Sequence, residues 1–309
     1  MEPLVSVVIP VYNCEHHIDH GMSSILNQTY TNIEIICVDN NSTDSSLLKL
    51  KEWSEKEARI KVFSEQEQGA PFARNKGTYE AKGEWIQYFD VDDFLYPNKI
   101  AHQMSLVSSS TERIDIVFEG WEVVHLDGRI EVHHVDPDIW KALFKGGSNT
   151  NSVLIRREAL LKVQGWDVKL KSSQERDLFF RIMKTEANFI VSDNIGSRYE
   201  MREGSITTSL DKHGEKTVRF VLLRQRMLDY LIEEKSVYFQ KNKTWYLSFF
   251  LERIRWVYPF NQKLALELYK KYCRGERFEP VRSLSKKYLF LLKLLGLKGT
   301  EKVYALNKK

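Results

Sequence analysis

The chain has 309 residues, 42% hydrophobic and 28% charged, the balance of a globular protein long enough for a sizeable core. Its net charge of +4 sits in the tail: Arg282 to Lys309 carries eight Lys/Arg and one Glu, leaving −3 for the rest, which argues against a nucleic-acid-binding body. Three scattered cysteines (Cys14, Cys37, Cys273) give neither a disulfide framework nor a zinc spacing, and no stretch reaches the ~20 apolar residues that span a bilayer. The start, "MEPLVSVVIPVYN", lacks a basic segment and is broken at Pro10, so no signal peptide and a cytoplasmic location are expected.

"LVSVVIPVYN" is a Val/Ile run ended by turn residues, as a fully buried strand should be. "IEIICVDN", "IKVFSE" and "EWIQYFD" repeat the pattern, and helices are expected between them over His17–Asn27, Asp44–Lys56 and Pro71–Ala81. Strands alternating with helices predict a mostly parallel sheet whose ligands bind beyond the carboxyl ends of the strands. Tyr12-Asn13, Asp39-Asn40 and Asp90 to Asp93 all fall at such ends and should share one rim.

Further along, "VHLDGRIEV" predicts a hairpin with a two-residue turn at Asp127-Gly128, on which His125, His133 and His134 would form an exposed ribbon rather than a metal site. "SNTNSVLIRREALLKVQGW" reads as strand, short helix and loop, and "SSQERDLFFRIMKTEANF" as a capped amphipathic helix. Helices dominate from about Gly214 onward, placing a boundary near Asp211–Glu215.

The stretch "YFDVDDFLY" packs Asp90, Asp92 and Asp93 behind an apolar strand. Carboxylates are hard ligands suited to Mg2+ or Mn2+, with substrate phosphates completing the shell. The plainer alternative is an acidic turn in which Asp93 caps a helix starting near Pro97. An Asp-x-Asp after an apolar strand also superficially resembles the nucleophile motif of haloacid-dehalogenase-like phosphatases. That motif usually opens the first strand and continues with Thr or Val where this chain has Phe94.

Taken together, "VSVVIPVYN", "SILNQTYTNIEIICVDNNSTD", "GAPFARNKGTYEAKGEWIQYFDVDD" and "QERDLFFRI" resemble the family 2 glycosyltransferases over roughly residues 4–210. The resemblance implies the GT-A fold, an α/β domain with a mostly parallel central sheet flanked by helices. It also implies inverting transfer of a sugar from a nucleotide-diphosphate donor, UDP-sugar by default, to a glycan or lipid-linked glycan acceptor. The pathway expected is cell-surface polysaccharide or glycan synthesis. By the same resemblance Pro10 and Tyr12 shape the nucleoside pocket, and Asp39 accepts from the base. Helix capping is the alternative for Asp39, and strand-end packing for Tyr12. Arg74 would sit near the nucleotide, or else in a surface ion pair. Asp92 would hold Mn2+ or Mg2+, with Asp90 near the ribose or the metal.

Where many relatives carry a metal- or phosphate-binding His, "YEMREGSIT" has Arg202, which cannot ligate a cation but can clamp phosphate. Trp166 in "GWD" would either stack on the acceptor sugar or anchor its loop. Glu175 stands where relatives carry the base carboxylate, with Asp177 as fallback, although Ser172-x-x-Glu175 also fits a capping box. These departures keep open a sugar-nucleotide-binding protein without catalysis.

The expected organisation is a catalytic domain over 1–213, with a nucleotide-binding half of about 1–95 and an acceptor-side half of about 96–213, followed by a helical region over 214–309. In its tail, Leu284, Tyr288, Leu291, Leu292 and Leu295 should form an apolar face opposite Arg282, Lys286 and Lys293. That pattern suits an anionic membrane surface contacted through 282–309, or docking onto the preceding helices.

Overall fold

The four apolar runs form parallel strands β1 (Val5–Val11), β2 (Ile33–Asp39), β3 (Ile60–Ser64) and β4 (Trp85–Tyr88), ordered β3-β2-β1-β4. They are seen in a computed structural model that describes residues 2–202 and 214–306. Every residue of β2 and β4 is buried, as expected of strands covered on both faces. Pro10 lies past Val8, the last β1 residue paired with β4, so its missing N–H breaks no bond to that strand.

Between the strands run α1 (Ile18–Leu26), α2 (Ser46–Lys56) and α3 (Ala70–Glu80), the last with Pro71 in its first turn. Gly77 of α3 lies so near β1 that a Cβ there would meet Val8 Cγ1 at 2.4 Å. Gly21 of α1 is set equally close to the acidic turn, where a Cβ would fall 2.3 Å from the Val91 carbonyl oxygen.

After the turn the sheet becomes mixed. It continues through β5 (Phe94–Leu95), α4 (Lys99–Ser109), β6 (Ile116–Val124), β7 (Ile130–His133), α5 (Ile139–Lys145) and a 3-10 turn (Thr150–Ser152). β8 (Val153–Arg156), α6 (Arg157–Lys162), α7 (Gln174–Met183) and β9 (Phe189–Glu200) follow. β8 pairs antiparallel with β4 and β6, while β9 runs parallel to β6 and antiparallel to β5. The complete order is β3-β2-β1-β4-β8-β6-β9-β5, with β7 beside β6. This is the α/β sheet flanked by helices that was expected, with an antiparallel half the apolar runs did not announce.

Three local expectations are corrected. The β6–β7 loop is one residue longer than the two-residue turn: His125 N–H donates to the Arg129 carbonyl (2.9 Å), with Gly128 at φ 79°. His125 and His133 there flank Glu131, at 3.1 and 3.5 Å. Helix α4 begins at Lys99 with Asn98 before it, so Asp93 is not its cap. Helix α7 has Ser173, not Ser172, as its N-cap residue, with no side-chain capping bond from it.

Under the mixed half lies a buried charge pair. Lys99 donates to Gln87 Oε1 and faces Glu119, itself 3.5 Å from His102. Burial pulls the Lys99 ammonium down and pushes the Glu119 carboxyl up, each opposed by the other's charge.

Two compact units emerge, Met1–Ser209 and Leu210–Lys309. The boundary expected at 213/214 touches residues 203–213, which lie outside the described ones. The second unit is helical: α8 (Glu215–Glu234), α9 (Ser236–Val257), α10 (Gln262–Leu268) and α11 (Lys286–Leu306), the last interrupted at Gly296. Of the apolar face expected of the tail, Leu284, Tyr288 and Leu292 are buried. Arg255 of α9 lies 4.2 Å over the Tyr288 ring and ion-pairs with Glu301, to which the Tyr288 hydroxyl donates (2.6 Å). Those three residues dock onto the preceding helices, whereas Leu295 of the same expected face stays exposed.

Candidate active site

Because β1, β2 and β4 are parallel and in register, their carboxyl ends lie side by side. Val11 of β1 is level with Asp39 of β2, and Val8 with Tyr88 of β4. Tyr12, Asp39 and the acidic turn therefore occupy one rim, as the element pattern predicted.

Asp39 is buried at the end of β2. Its Oδ2 accepts a long bond from Ser42 N–H (3.4 Å), whereas Oδ1 meets no donor among the described residues. An orphaned buried acceptor costs about 1–3 kcal/mol unless something donates to it. Capping is done elsewhere: Asp44 accepts from Ser46 N–H (2.9 Å) and Glu15 N–H (3.1 Å). Asn40 holds the neighbouring loop, accepting from Gly69 N–H (2.7 Å) and donating to the Glu67 carbonyl (2.6 Å). Asn13, at φ 49°, clasps the same rim by accepting from Thr43 N–H (2.8 Å). Tyr12 follows the last residue of β1 and has 47% of its surface exposed.

The three aspartates have three different fates. Asp90 accepts from Arg74 Nη2 at 2.7 Å. Arg74 is buried on α3, and its guanidinium lies 4.6 Å over the Trp166 ring, so it is no surface ion-pair residue. Asp92 pairs with Arg202 just past β9, and both stay partly exposed. Asp93 turns inward. Its Oδ2 accepts from Asn151 Nδ2 and its Oδ1 from Glu200 N–H (3.2 Å). Burial, then the nearby Asp90 charge, pushes the Asp93 carboxyl well above the usual carboxylate range.

Asn151 had no role in the sequence reading, yet it completes this brace. Its Oδ1 accepts from Asp90 N–H (2.9 Å) and its backbone carbonyl accepts from Gln87 Nε2 (2.9 Å). One buried asparagine thus ties the acidic turn to β4 and to the loop before β8. Because Asp90 N–H requires the amide oxygen, the Asn151 amide must donate to Asp93, which needs an acceptor there. The only signal was a polar run, "SNTNS", directly before a buried strand.

Trp166 is 2% exposed, edge-on to Tyr88 with ring centroids 5.1 Å apart. Asn75 clamps its backbone from both sides, donating to its carbonyl (2.9 Å) and accepting from its N–H (2.8 Å). With Arg74 over one face, the ring is a loop anchor and offers no face for stacking on a sugar. Gly165 permits that approach: at φ 67°, a Cβ there would fall 2.4 Å from Asn75 Oδ1.

The two base candidates also separate. Asp177 is buried and accepts from Arg181 Nε at 2.7 Å, while Arg181 also donates to the Val163 carbonyl (2.7 Å). It is committed to joining α7 to the α6 end. Glu175, in the first turn of α7, is half-buried and only 3.8 Å from Arg176 Nε.

Among the described residues no group of three or more His, Cys, Asp and Glu side chains is arranged to hold a metal. The donor set at the turn suits a cation that brings other ligands with it: Asp92 is an accessible hard carboxylate, and Asp90 has one oxygen committed to Arg74.

Residues 6–125 match the family model described as glycosyl transferase family 2. The chain is 31% identical over 227 residues to an uncharacterized glycosyltransferase of Rickettsia bellii, covering 69% of this chain and 32% of that protein. It is 36% identical over 123 residues to the UDP-Glc:alpha-D-GlcNAc-diphosphoundecaprenol beta-1,3-glucosyltransferase WfgD of Escherichia coli, covering 40% and 47%. The chain spans about a third of the length of the Rickettsia relatives it matches first. In fold it is similar to S. aureus TarS residues 1–349 solved with UDP-GlcNAc (TM-score 0.63, 18% identity, 85% and 75% covered). It is likewise similar to the mannosyltransferase PcManGT of Pyrobaculum calidifontis solved with GDP-Man and Mn2+ (TM-score 0.56, 16% identity, 100% and 89% covered).

Proposed function

We propose, from the match of residues 6–125 to glycosyl transferase family 2 and the identity to an uncharacterized glycosyltransferase, that the chain is a family 2 glycosyltransferase that transfers a sugar, with inversion, from a nucleotide-diphosphate donor to a hydroxyl acceptor. The observation that carries the donor half is Asp39 Oδ1, a buried acceptor with no donor among the described residues, at the rim of the parallel strands. The ring N–H of uracil is a donor of the matching kind, and Tyr12 offers a ring face for the base. UDP-sugar is therefore the donor of first choice, in keeping with the donor named for WfgD and bound by TarS.

At the acidic turn, Asp92 beside Asp90 would hold Mn2+ or Mg2+, and the charge the diphosphate gains on leaving would be neutralised there. Arg202 lies at the same carboxylate and can shift its guanidinium onto a phosphate oxygen, the geometry that suits arginine. Arg74 fixes the direction of Asp90 and is itself fixed by Trp166. Glu175 takes the proton of the acceptor hydroxyl as its oxygen attacks the anomeric carbon. The bond to the nucleoside diphosphate breaks as the new one forms, and its electron pair leaves with the terminal phosphate oxygen. The acceptor is a glycan or lipid-linked glycan hydroxyl, the class named for WfgD, and cell-surface polysaccharide synthesis is the setting this suggests.

A phosphatase is not favoured: the aspartates follow the fourth strand, and the first of them is tied to Arg74. A binding protein without catalysis makes the opposite forecast in one assay. Purified chain incubated with a panel of UDP- and GDP-sugars and Mn2+ should release nucleoside diphosphate from a UDP-sugar, and EDTA should stop it. Tight UDP binding with no turnover on any donor would favour the binding protein.

A further inference from the structure

Helix α11 docks through Tyr288 and Leu292, with Leu284 buried just before it and Leu297 buried beyond the break at Gly296. These satisfy the apolar contact the helix needs to fold onto its unit. The opposite face is nevertheless not purely polar. Phe290 and Leu294 are each 63% exposed, one helical turn apart, and Leu295 beside them is 48% exposed. Lys286, Lys287 and Lys293 are exposed too, and they stand three, four or seven residues from Phe290 or Leu294. Such spacings put all five side chains on one stripe. No Asp or Glu occurs from Lys286 to Thr300, and Glu301 is engaged inward by Arg255 and Tyr288. An apolar pair bracketed by lysines, on a helix already anchored by its other side, is complementary to a surface that is anionic outside and apolar beneath. No helix among the described residues is long and apolar enough to cross a membrane, so contact would be lateral.

We propose that α11 is an interfacial docking helix for an anionic lipid bilayer, with Phe290 and Leu294 entering the acyl boundary and Lys286, Lys287 and Lys293 meeting lipid phosphates. This goes beyond the proposed reaction and does not depend on it. It also reverses the face suggested by the sequence pattern: Tyr288 and Leu292 hold the helix down, and the stripe that had seemed only basic does the inserting.

Flotation of the full chain with vesicles tests this without any sugar donor. Vesicles of phosphatidylcholine with about a third phosphatidylglycerol should carry the protein, pure phosphatidylcholine should not, and salt should weaken binding by screening. The triple variant Lys286→Gln/Lys287→Gln/Lys293→Gln should lose about 5-fold in affinity per lysine, from about 1 kcal/mol each. Phe290→Ser/Leu294→Ser should lose binding by at least about 10-fold. Both variants alter exposed positions and should keep the wild-type melting temperature. Absence of lipid-dependent flotation by the wild type overturns the proposal, as does binding indifferent to phosphatidylglycerol or to both variants. A second copy is the competing occupant: if Phe290→Ser/Leu294→Ser only turns a dimer into a monomer in sedimentation, the face is a subunit interface.

Discussion

The two halves of the first unit's sheet use the same rim in different ways. In the parallel half, β3-β2-β1-β4, the buried strands β2, β1 and β4 run to a common edge and carry short polar groups there. Asp39 ends its own strand, and Arg74 stands on the helix before β4. In the mixed half, β5 to β9, strands are short or bulged and the polar groups sit in the loops. Arg202 and Asn151 come to the acidic turn from segments far apart in sequence. In the proposed function the parallel half would be a preformed recognition edge, and the mixed half would supply reach and chemistry. The turn at Asp90–Asp93 is where the two are fastened together, through Asp93 and Asn151.

That division makes testable demands. The largest effect should come at the junction. Asp92→Asn keeps the shape but removes the accessible carboxylate, so transfer should fall by ~10³-fold, the several kcal/mol that metal charge stabilisation contributes. The residual rate should no longer respond to EDTA. Wild-type turnover by this variant would detach the turn from the chemistry altogether.

Next comes the mixed half. Glu175→Gln should lower transfer by ~10² or more, the range of general-base catalysis, with UDP affinity and melting temperature nearly unchanged. Asp177→Asn should instead lower the melting temperature, because Asp177 is a buried partner of Arg181. If Asp177→Asn abolishes transfer in a fully stable protein while Glu175→Gln does not, the roles on α7 are exchanged.

The fastening itself should be measurable as stability. Asp93 must accept two N–H groups through two oxygens, and an asparagine offers only one acceptor. Asp93→Asn should therefore cost about 1–3 kcal/mol in urea unfolding, as a donor is left facing a donor. A silent substitution would mean that the buried group is the neutral acid and that Asn151 is oriented the other way.

The smallest effect belongs to the parallel edge. Asp39→Asn should weaken UDP binding by about 10-fold, roughly 1.4 kcal/mol, without changing the maximal transfer rate once donor saturates. A loss confined to the rate at saturating donor would place Asp39 in the chemistry and collapse the distinction between the halves.

Much of the parallel half was legible in the sequence. Apolar runs such as "IEIICVDN" can satisfy their composition only as strands covered on both faces. Alternation with helices then fixes parallel pairing, and parallel pairing fixes which residues share a rim. The docking helix at the tail was legible as amphipathic for the same reason, periodicity. What periodicity could not carry is direction and partner choice. The tail pattern has apolar residues on more than one side, and only packing against Arg255 and the helices before it decided that Tyr288 and Leu292 turn inward. Asp90, Asp92 and Asp93 are the same residue type within one turn, so their sequence could not distinguish a buried brace from a partly exposed carboxylate. Contacts with Arg74, Asn151 and Arg202 made that distinction, at separations of 16, 58 and 110 residues. Trp166 likewise became an anchor because Asn75, Tyr88 and Arg74 enclose it. Local spacing sets which groups a segment can present, whereas the desolvation of each charge depends on neighbours that only the folded chain assembles.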